Sequence, residues 1–225
     1  MNIIIVTDIF GKTVYTDNLS LLLQLRDAFT VTVDPYQGGY RNFIDEKEAY
    51  AAFISECGHD EYARILEQSM ARMEKSPDAD FKGKNFFSVN KNESSNASIL
   101  ISFSAGASAA WIAAAGVYGN SIRHLIGFYP TQIRNHLDIT PQCPTTLLFP
   151  MVEGHFDVNE LIQKLSEKKN TICIKTNFMH GFMNPLSKNF SQKAYTFFLS
   201  IIRSVERFDD AAPLMQLLRN YADNY

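Results

Sequence analysis

Ser98-Ile99-Leu100-Ile101-Ser102-Phe103-Ser104-Ala105-Gly106-Ala107-Ser108-Ala109-Ala110-Trp111 is the stretch on which the reading of the whole chain turns. From Ala97 to Ile122 no residue carries a charge, and an uncharged run of that length is long enough to cross a bilayer. Its internal order argues otherwise. Isoleucines and a leucine fill the first half, serine and glycine cluster at the centre, and alanines fill the second half. A buried strand, a tight turn and a buried helix have the same hydropathy and also account for the central cluster. A membrane span is therefore set aside in favour of an interior strand–turn–helix unit.

Outward from this unit, further short apolar runs bounded by polar or turn residues recur at Asn2–Thr7, Thr30–Val33, His124–Gly127, Thr145–Phe149 and Thr171–Lys175, which with Ser98–Phe103 make six expected strands. Helical patterns at Asn18–Arg26, Glu46–Glu56, Glu61–Glu74, Ala107–Tyr118, Asn159–Lys168 and Ser191–Val205 alternate with them. Such alternation predicts an α/β fold, a mostly parallel six-stranded sheet with helices on both faces. Sheets of this kind hold ligands at the carboxyl ends of their strands, so the loops after the strands are where chemistry is sought. The long connection over residues 36–96 is a candidate cap over that edge. The tail over residues 209–225 reads as an amphipathic helix for the core or for a second copy, so a homodimer stays open.

The composition fits one soluble domain over residues 1–225: 46% of residues are apolar and 20% charged, an ordinary globular balance. Twenty-one basic against 24 acidic residues give a formal charge of −3 with no long block of one sign, which excludes a nucleic-acid-binding surface of the usual basic kind. The three cysteines, Cys57, Cys143 and Cys173, lie too far apart for a disulfide framework or a Cys-x-x-Cys metal site. With no basic leader before Asp8, a reducing cytoplasm is the expected location. Glu153, His155 and Asp157 are residue types that bind cations, but no further ligand pair accompanies them. Gly11-Lys12-Thr13 imitates the end of a phosphate loop, yet Val6 stands where its first glycine belongs. No metal or cofactor is expected.

Ser102-Phe103-Ser104-Ala105-Gly106 matches Gly-x-Ser-x-Gly with one substitution, Ser102 for the first glycine. In that pattern the central serine occupies a strained turn between strand and helix, and small flanking residues let the two approach. The bland alternative is that Ser102, Ser104 and Ser108 simply pack a buried βα unit. A serine hydroxyl needs a base, and the base needs an orienting acid. His180, in the loop after the last strand, stands at the right edge; His59, His124 and His136 read as surface or structural. The loop after Thr145–Phe149 offers Glu153 first and Asp157 second, the latter also a natural helix N-cap. The amide of Ala105, at the positive end of the following helix, and that of Ile9, in the loop after the first strand, are the expected oxyanion donors. Phe10, Tyr129 and Phe182 are candidates for lining an apolar substrate pocket.

Taken in order, Asp8-Ile9-Phe10-Gly11, Asp34-Pro35-Tyr36, Ser102–Gly106, Phe128-Tyr129-Pro130 and His180-Gly181-Phe182-Met183-Asn184 make the chain resemble the dienelactone hydrolase family of α/β-hydrolases. The resemblance runs from about Ile3 to about Arg203. It implies the chain order serine, acid, histidine that Ser104, Glu153 and His180 follow, and an oxyanion role for the acidic-Ile-Phe-Gly turn. The departures are specific: Ser104 stands for that family's cysteine nucleophile, Glu153 for its aspartate and Asn184 for a substrate-binding arginine. The family's first strands have no counterpart, which moves the first run here inside the sheet. The function implied is a cytoplasmic serine hydrolase acting on small esters, thioesters or lactones. The alternative is an inactive binding protein on the same fold.

Overall fold

The computed structural model describes residues 2–24, 28–75 and 97–203; the stretch 76–96 of the expected cap and the expected tail helix lie outside the described residues. Six strands, β1 (Asn2–Val6), β2 (Phe29–Val33), β3 (Ser98–Phe103), β4 (Ile122–Phe128), β5 (Thr145–Phe149) and β6 (Thr171–Lys175), alternate with α1 (Val14–Gln24), α2 (Glu46–Glu56), α3 (Gly58–Lys75), α4 (Ala105–Ala115), α5 (Val158–Ser166) and α6 (Gln192–Ile202). The strands form one sheet in the order β2-β1-β3-β4-β5-β6, and every neighbouring pair is parallel.

Two-residue alternation along the strands sorts the apolar side chains between the faces. Ile3, Ile5, Ile99, Ile101, Ile126 and Phe128 pack under α1 and α6. Ile4, Val6, Leu100 and Leu125 pack under α2, α3 and α4. Trp111, with Leu147, Phe149, Leu161 and Leu165, joins α4 to α5 in a third cluster. Because α2 and α3 give Phe53, Tyr62, Leu66 and Met70 to the second cluster, these helices are part of the body that covers one face of the sheet.

Local signals account for the helix starts. Asp45 accepts from the Glu48 amide and Asp157 from those of Asn159 and Glu160, satisfying amides left free by the first turn. The start of α1 precedes the expected Asn18: Thr13 and Thr16 cap one another, each hydroxyl accepting from the other's amide at 3.2 and 2.9 Å. The apolar signal of its leucines begins a full turn later.

After β1 the chain builds β2 on one side, then returns past β1 to β3 on the other. The loops leaving β1 and β3 therefore diverge, which opens a crevice at their carboxyl ends. No helix among the described residues is long and apolar enough to cross a membrane.

Candidate active site

The turn after β3 is strained where the sequence pattern requires it. Ser104 has φ 49° and ψ −114°, a conformation rare for any residue with a side chain. Its amide donates to the Phe128 carbonyl at 2.9 Å, which fixes it to the end of β4. Two residues on, a Cβ built on Gly106 would stand 2.1 Å from the Thr7 carbonyl oxygen and 2.7 Å from that of Val6. The first turn of α4 is thus pressed against the end of β1, and only glycine fits. The first position of the pattern differs because of its neighbour: Ser102 pairs in register with Gly127 of β4, which leaves room for the serine side chain. Its hydroxyl donates to the Ile126 carbonyl at 3.0 Å.

Glu153 and His180 arrive on adjacent loops after β5 and β6, tied together by the Met151 amide donating to the Phe178 carbonyl at 2.7 Å. His180 Nε2 lies 2.9 Å from Ser104 Oγ, and His180 Nδ1 lies 2.7 Å from Glu153 Oε1. A carboxylate only accepts, so Nδ1–H donates to Glu153 and Nε2 is left to accept from the serine hydroxyl. The side chains of His180 and Glu153 are 33% and 15% exposed, open enough for a substrate to reach the imidazole and closed enough to hold its partner. Asn189 Nδ2 donates to the His180 carbonyl at 2.9 Å, and Gly181, at φ 86°, turns the chain back beside Ser187. Asp157, the second candidate acid, is taken up as the α5 N-cap.

Ile9 sits in a turn held by Asp8, which accepts from the Phe10 amide through Oδ1 at 3.0 Å and from Asn184 Nδ2 through Oδ2 at 2.6 Å. Burial pushes the Asp8 carboxyl above its usual range, against the opposing pull of these two hydrogen bonds. Tyr36 buttresses the turn from beneath by donating to the Ile9 carbonyl at 2.6 Å. Tyr62 of α3, fully buried, reaches the carbonyl oxygens of both Thr7 and Val33, at 2.9 and 3.1 Å. Tyr36 belongs to the Asp34-Pro35-Tyr36 stretch noted in the sequence, though without a role there, and Tyr62 is not marked by any motif. The one signal for Tyr62 is its place on the apolar stripe with Ile65, Leu66 and Met70.

The three aromatic residues expected to line a pocket part company. Tyr129, held at φ 44°, packs its ring 4.9 Å from that of His180 and lines a cavity between α1 and α6. Phe182 is a correction: it is fully buried, its ring enclosed by Phe128, Tyr129, Phe178 and Phe198, and it is absent from that cavity wall. Apolar area drew it inward, where burial gains most. Phe10 is also buried, edge-on to Phe43, and does not line the cavity.

The remaining histidines stand apart from this relay. His124 is buried in β4 against Thr146 Oγ1 at 2.9 Å, and desolvation pulls its pKa down to about 4. His59 opens α3 with its ring edge-on to Phe53. The three cysteines are free thiols, and burial pushes Cys57 and Cys143 up to about 11 and Cys173 up to about 12, far from the thiolate a cysteine nucleophile needs.

No family model matches the chain. Over 107 residues it is 37% identical to YczH of Bacillus subtilis (strain 168), a protein described as uncharacterized; the match covers 47% of this chain, which spans about half (52%) of the length of that relative. Among solved structures, the dienelactone hydrolase of Anabaena variabilis superposes with a TM-score of 0.56 at 13% identity, over 90% of this chain and 84% of that one. The dienelactone hydrolase-like promiscuous phosphotriesterase P91, from metagenomic libraries, gives 0.63 at 12% identity over 91% and 84%. Est1E of Butyrivibrio proteoclasticus, solved with ferulic acid bound, gives 0.56 at 11% identity over 92% and 88%. Together with the parallel sheet and the strained turn at Ser104, these likenesses show that the chain has the α/β-hydrolase fold, in the form seen in dienelactone hydrolases.

Proposed function

We propose that the protein is a serine hydrolase of small carboxylic esters, thioesters or lactones. The observation that carries this reading is the hydrogen-bonded chain Ser104–His180–Glu153, drawn from three separate loops to one edge of the sheet. Structural serine and histidine residues have no need of such an alignment, whereas a hydroxyl that must lose its proton at neutral pH does.

In this mechanism Ser104 Oγ attacks the substrate carbonyl as its proton passes to His180 Nε2. Glu153 holds the imidazole in the required tautomer and stabilises the imidazolium that forms. The amides of Ile9 and Ala105 receive the oxyanion, aided by the N-terminus of α4. His180 returns the proton to the leaving alcohol or thiol, and water, activated by the same imidazole, cleaves the acyl-enzyme to the free acid. Met151, Val152 and Met179 are exposed apolar residues flanking the acid and the base, a surface suited to an uncharged leaving group. A cytoplasmic location goes with this reading and is supported by the three free thiols.

The test is covalent labelling with a fluorophosphonate, together with turnover of p-nitrophenyl butyrate. The parent is expected to label and turn over, and Ser104→Ala and His180→Ala to do neither. A Ser104→Ala protein that labels as well as the parent refutes the mechanism, and a folded parent inert in both assays favours a binding protein on a hydrolase fold.

A further inference from the structure

The loop that carries His180 is gripped from outside the relay. Beyond Gly181 it folds back on itself: the Asn184 amide donates to the Gly181 carbonyl and the Ser187 amide to the Asn184 carbonyl, each at 2.9 Å. Ser187, buried at the centre of this fold, uses its hydroxyl twice. It donates to Glu46 Oε1 at 2.5 Å and accepts from the Asn189 amide at 3.2 Å, and Asn189 Nδ2 in turn reaches the His180 carbonyl. Glu46 stands 141 residues before Ser187 in the chain, in the first turn of α2. The capping of α2 does not call on it, since Asp45 accepts from the Glu48 amide and Glu48 from that of Ile44.

Gly181 shows how closely the base depends on that hydroxyl. A Cβ built on it would stand 2.4 Å from Ser187 Oγ and 4.0 Å from Glu46 Oε1, so the residue next to His180 rests directly on the serine. A shift of Ser187 therefore moves the backbone that carries the imidazole. The acceptor on Ser187 is a carboxylate, which makes the stronger and shorter kind of hydrogen bond. A general base has little positional tolerance, because a misplacement near 1 Å costs about a hundredfold in rate. We propose that Glu46 is a positioning residue: acting through Ser187, it fixes the His180–Asn189 loop and with it the approach of His180 Nε2 to Ser104 Oγ. It touches none of the reacting atoms. The inference rests on the hydrolase reading above and adds to it a residue of the 36–96 connection, set behind the base.

The experiment compares the parent with Glu46→Ala, Glu46→Gln, Ser187→Ala and the double variant of Glu46→Ala with Ser187→Ala, and takes Lys47→Ala, at the exposed neighbouring position, as control. Turnover of p-nitrophenyl butyrate gives kcat and KM. Proton NMR follows the low-field imidazole N–H that His180 donates to Glu153, assigned by its loss in His180→Ala. Glu46→Ala and Ser187→Ala should each lower kcat by at least about tenfold with KM held within about twofold, and shift or broaden the imidazole signal. The double variant should lose no more than either single one, since both break the same tie. Glu46→Gln, whose amide oxygen still accepts from Ser187, should restore kcat to within about threefold of the parent. A Glu46→Ala protein with parental kcat and parental imidazole signal overturns the proposal, whatever its Tm, and so do equal losses in Glu46→Gln and Glu46→Ala or losses that add in the double variant. Should the parent turn over no ester, the hydrolase reading falls and the imidazole signal decides alone: moved in Glu46→Ala and kept in Glu46→Gln, it upholds the grip on His180; unmoved in Glu46→Ala, it overturns that as well.

Discussion

Gly106→Ala tests the packing on which the Ser104 turn depends. The added methyl would meet the Thr7 and Val6 carbonyl oxygens at 2.1 and 2.7 Å; ordinary contact begins about 1 Å further out, so α4 must move away from β1 or the end of β1 must bend. Both partners are backbone and cannot rotate aside. Overpacking of this kind costs about 1–3 kcal/mol, and the rigid surroundings put this site at the upper end. The better helix propensity of alanine offsets no more than about 1 kcal/mol. A net loss of about 2 kcal/mol at about 2–4 °C per kcal/mol for a chain of this size lowers Tm by about 4–8 °C. The displacement falls on the first turn of α4, which carries Ser104 and the proposed Ala105 donor, and a misplacement near 1 Å costs about a hundredfold in rate. Calorimetric melting and kcat/KM on p-nitrophenyl butyrate read the two effects, with Gly154→Ala, whose Cβ meets nothing within 4 Å, as the matched control. A Gly106→Ala protein with parental Tm and parental turnover would refute the contact between α4 and β1 and the reasoning built on it.

Further outcomes follow from other contacts. Glu153→Gln should lower kcat by about 10³–10⁴-fold, as loss of the orienting acid does in related relays, whereas Asp157→Ala should keep turnover and lose about 1 kcal/mol of stability with the α5 cap; the reverse pattern in paired kinetic and melting measurements would transfer the acid role. Ser102→Gly removes the hydrogen bond to Ile126 and adds backbone freedom, together about 1.5–2 kcal/mol, so urea unfolding should show that loss while turnover stays within threefold. His124 is the clearest source of pH dependence. Its folded pKa, about 4, lies below the ordinary 6.5, so the unfolded chain takes up a proton first as pH falls. Stability present above pH 6.5 is then lost down to about pH 4, by up to about 3 kcal/mol. The buried Asp8, raised above 3.8, acts in the opposite sense as pH rises through its own window. The measurement is therefore the difference between parent and His124→Gln in unfolding free energy, and a difference flat from pH 4 to 6.5 refutes the assignment.

Much of the fold was legible because its signals are local. β3, β5, β6 and α2 have the expected bounds, each marked by a continuous apolar run or a polar cap. Elsewhere the ends moved. β4 begins two residues before His124 and α4 two before Ala107, since strand pairing and the Ser104 turn, rather than composition, decide where each starts. At the site, the serine, the acid and the histidine each stood after a recognisable strand, so residue type and order sufficed to nominate them. Phe182 went the other way: a phenylalanine two residues from the histidine looks the same in sequence whether it faces a ligand or the core.

What the sequence by itself determined is the alternation of strand and helix and the placing of Ser104, Glu153 and His180 on loops at one edge, because hydrophobic period and turn chemistry act over a few residues. Tertiary structure alone decided that Glu153 rather than Asp157 meets the imidazole, that Gly127 makes room for Ser102, and that Tyr129 lines a cavity while Phe182 is enclosed. Those outcomes depend on distances between segments far apart in the chain, set by the register of the sheet and the packing of helices across it, and no local pattern encodes them.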